Sequence, residues 1–137
     1  MQGFGRQTGN DEENDPKYTI AFDDHPTYLH AQVHGEEYSY EVLVSFLKEI
    51  ADEAHARGYK QVLIEKNVSA GATKEDAYRA SSDLPELGFT DIRMAYVDRF
   101  LDQGEVNEFG RDVAVHKGID ARWFTDQAMA ARWLNSE

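Results

Sequence analysis

Apolar and polar side chains alternate twice near the start of the chain. Tyr18, Ile20 and Phe22 are separated by Thr19 and Ala21; after Asp23-Asp24-His25-Pro26, Leu29, Ala31 and Val33 alternate with His30, Gln32 and His34 up to Gly35. A period of two predicts strands. Pro26 fixes its own φ and keeps the residue before it out of the helical region, so the two strands should pair as a tight antiparallel hairpin. The period then changes. Leu43, Phe46, Leu47, Ile50, Ala51 and Ala54 fall on one helical face, with Lys48, Glu49, Asp52 and Glu53 opposite. Glu36, Glu37 and Glu41 lie near the helix's positive end, and Gly58 fits just beyond its C-terminus.

The rest of the chain alternates between the two periods. Gln61-Val62-Leu63-Ile64-Glu65 predicts a short buried strand, and Asn67 to Ala72 a loop of small residues. Thr73-Lys74-Glu75-Asp76 resembles a capping box opening a helix with Ala77, Ala80, Leu84 and Leu87 on its buried side; Pro85 breaks or restarts its last turn and Gly88 ends it. Ile92 to Val97 is the next strand. Asp102 with Glu105 is expected to cap a helix carrying Val106, Phe109 and Val113, which ends near Gly118. Ala121 to Phe124 is a last strand, and Thr125 is expected to cap a helix with Ala130, Trp133 and Leu134 on its apolar side. The order β-β-α-β-α-β-α-β-α predicts one α/β domain over residues 17–137, with a mixed, mostly parallel sheet.

Composition narrows the classes of function. At 137 residues the chain has room for one core. Twenty-six acidic against 14 basic side chains, a net charge of -12, make a surface that repels phosphate backbones and anionic membranes, so no nucleic-acid partner is expected. Without cysteine there is no disulfide and no thiolate metal or redox site. No apolar stretch approaches 18 residues and no basic-then-apolar leader opens the chain, so no transmembrane segment and a cytoplasmic location are expected. Residues 1–16 hold an acidic cluster from Asp11 to Asp15 and few sizeable apolar groups, and are expected to form a disordered tail, either a solvated terminus or a binding arm. Four acids against Arg6 there leave most of the negative charge on the domain. A protein partner should therefore present a basic or neutral face.

Few residues propose chemistry. His30 and His34 on one strand stand roughly 13 Å apart, too far to share an ion, so no metal site is expected and both should be exposed or at an edge. There is no nucleophile elbow and no Gly-rich phosphate loop, which leaves a small enzyme as the last of three readings and no catalytic residue to name. Parallel α/β sheets collect binding groups at the carboxyl ends of their strands. Here that edge gathers Glu65, Lys66, Asn67 and Ser69, then Asp98, Arg99 and Phe100, then Thr125 and Asp126. Ser69, in Val-Ser-Ala-Gly before a helix, would offer a phosphate free N–H groups and a favourable dipole, or is simply part of a flexible loop. Phe100, apolar in a loop, is a candidate contact or ligand-lid residue; Trp123 and Trp133 are expected to lock the last helix onto the sheet. Tyr18, Ile20 and Phe22 form an opening strand at a sheet edge, which can pair with another copy to give a homodimer.

Tyr28 to Gly35, the helix through Leu47-Lys48-Glu49-Ile50, Val62 to Glu65, Ile92 to Val97, and Gly118 through Phe124 to Ala131-Arg132-Trp133-Leu134 resemble the SpoIIAA-like branch of the STAS superfamily. The resemblance spans roughly residues 17–135. It implies a non-enzymatic regulatory domain that binds a protein partner without a cofactor. It also implies control by phosphorylation in a loop matched here by Asn67, Ser69, Gly71 and Thr73, where only Ser69 and Gly71 approximate the family's Asp-Ser-Ser-Gly pattern. Glu65, Asp98, Arg99 and Phe100 are the further candidate contacts. The branch is similar in fold to lipid-carrying CRAL-TRIO domains, which implies, as an alternative, a carrier or sensor of a small apolar or lipid ligand.

Overall fold

A computed structural model describes residues 18–36, 39–68 and 71–136. The expected tail, residues 1–16, lies outside them. Strands β1 (Tyr18–Asp24), β2 (Leu29–Gly35), β3 (Gln61–Val68), β4 (Arg93–Asp98) and β5 (Asp120–Phe124) form one sheet in the spatial order β1-β2-β3-β4-β5. β1 is antiparallel to β2 and every other pair is parallel. Helices α1 (Tyr40–Arg57), α2 (Lys74–Ser82) and α3 (Gly104–His116) make the crossovers, and α4 (Gln127–Leu134) follows β5. The mixed, mostly parallel α/β architecture is the one the hydrophobic periods predict.

The strand order decides the layering. Right-handed crossovers that always step to the next strand in one direction keep their helices on one face. On that face Leu29, Ala31, Val33, Val62, Ile64 and Met94 meet Phe46, Leu47, Ile50 and Ala51 of α1 and Ala80 and Ala114 of α2 and α3. α4 is left for the other face, where Ala130 and Leu134 cover Leu63, Ala95, Val97 and Tyr28. Being only eight residues long, α4 covers β3, β4 and β5. On the same face Thr19, Ala21 and His34 of β1 and β2 are exposed.

Local signals fix the helix ends, with two corrections. Ser39 and Thr73 cap α1 and α2 by accepting from the Val42 and Asp76 N–H groups, and Gly58 ends α1 in the left-handed region. α3 is not capped by Asp102. A 3-10 turn, Leu101–Gln103, winds directly into it, and Gln103 at the N-cap makes no side-chain capping bond. α4 is capped by Asp126, not Thr125: the Asp126 carboxylate accepts from Ala128 N–H at 2.8 Å. At α3 the preceding 3-10 turn sets the entry; at α4 the cap falls one residue later than expected, on a residue type that ranks above Thr at this position. Pro85 does restart the chain after α2, opening a wide turn, Pro85–Phe89, in which Gly88 takes φ 109°.

Candidate functional site

Adjacent residues on a strand point to opposite faces, and two neighbours in the second half of β3 are charged. Glu65 faces α4 and Lys66 faces the other helices. Both are buried, as is Asp98, which stands beside Lys66 at the end of β4. The carboxyl edge of the sheet thus carries two charge clusters back to back.

Lys66 and Asp98 form an ion pair with neither side chain exposed, Nζ to Oδ2 3.0 Å. Asn107 Nδ2 of α3 donates to the same oxygen at 2.9 Å, and the Phe100 N–H donates to Oδ1 at 3.0 Å. Asp98 therefore ties β3, the β4–α3 loop and α3 together. A buried carboxylate is tolerable only when its charge and lone pairs are answered, and all these donors converge on it. Phe100 is 37% exposed and its ring lies over the Lys66 ammonium, 5.5 Å from nitrogen to ring centre.

On the opposite face, Glu65 Oε1 is 2.9 Å from His30 Nε2, and Oε2 pairs with Arg99. The His30 ring is tilted against His25, which stacks on Tyr28 with ring centres 4.5 Å apart. His30 is therefore buried, 3% exposed, and not the exposed or edge residue that alternation suggested. Its polar face lands on a buried carboxylate, so the pair is shielded where a lone imidazole would not be. His34 is exposed as expected. Arg99 is the outward end of this chain, its side chain 56% exposed beside Thr125, Asp126 and Gln127 at the start of α4.

The two loops at this edge touch. A Cβ placed on Gly71 would fall on the side-chain amide of Gln103, so Gly71 is the surface on which the β4–α3 loop rests. Thr73 is committed to capping α2. Asn67 sits at the end of β3, opposite His34 in the ladder. Ser69, with Ala70, lies outside the described residues. Of the expected contacts, Glu65 and Arg99 are joined on one face, and Asp98 and Phe100 on the other. His30, Asn107 and Gln103 complete the arrangement. Their only trace in sequence is that charged residues abruptly end two apolar runs, Val62-Leu63-Ile64 and Met94-Ala95-Tyr96-Val97.

An apolar cavity of about 80 Å³ lies between α2, α3 and the sheet, lined by Leu43, Leu47, Ala77, Ala80, Met94 and Trp123 among others. Tyr96 and Trp123 line it and Phe100 does not; the Phe100 N–H donates to Asp98 and its ring lies over Lys66. Trp123 is a wall of this cavity on the α3 side of the sheet, its indole N–H donating to Glu108 at 2.7 Å, so it does not lock α4 as expected: neighbouring strand residues point to opposite faces, and Phe124 takes the α4 side. Trp133 packs on Phe124 under Arg93 at the α4 face, as expected of it.

Among the described residues no group of three or more His, Asp or Glu side chains is placed to hold a metal ion, and no helix is long and apolar enough to cross a membrane. At the carboxyl edge the buried charged groups are paired, Lys66 with Asp98 and Glu65 with His30 and Arg99. No model of a known protein family matches the chain, and no curated protein matches it.

Proposed function

We propose that the chain is a non-enzymatic regulatory domain of the STAS type that binds a protein partner through the carboxyl edge of its sheet. The observation that carries this reading is the seating of Gln103 on Gly71. It sets Gly71, just before α2, against the turn that leads into α3, and a contact made before binding lessens the conformational freedom lost on association. Phe100 and Arg99 are the exposed anchors at that edge, an aromatic and an arginine of the kind that dominates binding energy at interfaces. Asp102 and Glu105, which follow them closely in the chain, and Glu75 in the first turn of α2 are exposed and suit a partner with a basic or neutral face.

The placement of the buried carboxylates supports binding over turnover. Glu65 and Asp98 each have an ionisable partner, yet neither lines the apolar cavity or the shallow dish beside Arg99. Control by phosphorylation at Ser69 belongs to the same reading, since a phosphate there would add close to two negative charges to an already acidic chain.

The test is affinity capture from the protein's own cells with chemical cross-linking. A partner cross-linked to wild type should be lost when residues 67–73 are replaced by a Gly-Ser segment and weakened by Ser69→Asp. It should be kept by Met129→Lys on the exposed side of α4. Retention after the loop replacement, with the far-ultraviolet spectrum unchanged, overturns the assigned surface.

The apolar cavity supports a second reading, a carrier or sensor of a small ligand. Its 80 Å³ is well below the roughly 300–1,000 Å³ of ordinary ligand pockets, so only a compact apolar group fits without opening α2 from α3. Native mass spectrometry of protein from its own cells would show a bound apolar mass; a consistently empty protein removes this reading.

A further inference from the structure

The sheet has two outer edges, and they differ. β5 is five residues long and carries exposed Asp120 and Arg122. β1 is seven residues long, and its Tyr18, Ile20 and Phe22 are only half-buried, packed at the rim of the main core. Among the described residues no strand pairs with the outer side of β1, so its outward N–H and C=O groups offer a template for another strand.

We infer that β1 pairs with β1 of a second copy, antiparallel about a two-fold axis at Ala21, joining two five-stranded sheets into one of ten. The residues of β1 fit themselves in this register. Ile20 lies opposite the second copy's Phe22 on the core side, extending the apolar layer across the junction. On the exposed side Thr19 faces Asp23, and Ala21 faces its own copy. Tyr18 meets Asp24. No acidic residue is directly opposite another, which is the arrangement an antiparallel pair needs, because like charges facing each other destabilise it. A slip of the axis to Asp23 would set that carboxylate against its own copy.

The helix above the edge adds charge complementarity. Tyr18 donates to Glu49 at 3.0 Å, and Arg57 reaches Asp24 at 3.1 Å, so these two side chains mark opposite ends of β1 along α1. The two-fold axis brings Tyr18 beside the second copy's Asp24. It therefore carries Glu49 toward the second copy's Arg57, and the reverse. Glu53, between them, comes nearest its own copy, but its carboxylate is already paired with Arg57 Nε at 2.8 Å. An isologous interface of this kind repeats each favourable contact twice. It lies along the side of the sheet and leaves the carboxyl edge open.

The absence of cysteine makes the register directly testable. In the full chain under mild oxidation, Ala21→Cys should form a disulfide-linked dimer, since its Cβ atoms would face each other within bridging distance. Thr19→Cys and Asp23→Cys should each fail alone and cross-link when mixed. Ala21→Lys changes an exposed side chain and should leave the fold intact while setting two ammonium groups face to face. Sedimentation should show wild type at twice the monomer mass and Ala21→Lys as monomer. Glu49→Arg should weaken the dimer about tenfold, and Glu49→Arg combined with Arg57→Glu should recover most of that loss. A wild type that remains monomeric at hundred-micromolar concentration overturns the inference, as does a dimer that Ala21→Lys leaves unchanged.

Discussion

Asp98→Ala should be among the most damaging single substitutions in this protein, for electrostatic and not volumetric reasons. The change removes the carboxylate that accepts from Lys66 Nζ at 3.0 Å, Asn107 Nδ2 at 2.9 Å and the Phe100 N–H at 3.0 Å, while Lys66 stays fully buried. Breaking a buried ion pair from one side typically costs about 3–5 kcal/mol, because the remaining charge keeps its desolvation penalty and loses its attraction. Against a total stability of about 5–15 kcal/mol, that is a large fraction. At roughly 3–6 °C per kcal/mol for a domain of this size, the melting temperature should fall by more than about 10 °C. Replacing both partners with apolar residues of similar volume, Lys66→Met with Asp98→Leu, removes the penalty together with the pair and should recover most of the loss. Urea denaturation followed by circular dichroism measures both. A loss below about 1 kcal/mol in Asp98→Ala, or a double variant no more stable than the single one, would refute the reasoning.

Three further outcomes follow from named contacts. Glu108 accepts from the Trp123 indole and pairs with Arg111, and these interactions hold its carboxyl below the ordinary value of 4.5. Its contribution is present above that ordinary value and is lost as pH falls through the lowered one. In a Trp133→Phe background, Trp123 emission should stay flat through pH 4.5 and change only in stronger acid; a transition at or above that value counts against the bond. Gly88→Ala forces a side chain into φ 109° and brings its Cβ to 3.3 Å from that of Ala51, so it should cost about 1–3 kcal/mol in a urea titration. A neutral result would mean that the turn rebuilds. Gly71→Ala meets only the flexible end of Gln103 and should cost less than about 1 kcal/mol, yet shift the Gln103 side-chain amide resonances. Unchanged resonances would show that the two loops do not meet in solution.

Periodicity alone was enough to place five strands and four helices, because each element buries one face and repeats its apolar residues at its own period. The alternation of Leu29, Ala31 and Val33, all fully buried, is the plainest case. The Thr73 cap was legible because its side chain acts on its own helix; at α3 a 3-10 turn sets the entry and Gln103 makes no capping bond, and at α4 the cap falls on Asp126, one residue beyond Thr125. The carboxyl edge was legible as a collection of residues. Which of them touch was not, since Glu65 and Lys66 are neighbours in sequence and sit on opposite faces of the sheet. Only the parallel register sets Lys66 beside Asp98, and only the packing of β2 against β3 turns His30 into the partner of Glu65. Local chemistry is written in adjacent residues and is determined by the sequence itself; charge pairing between strands more than 30 residues apart depends on register and layer, which only the tertiary structure decides.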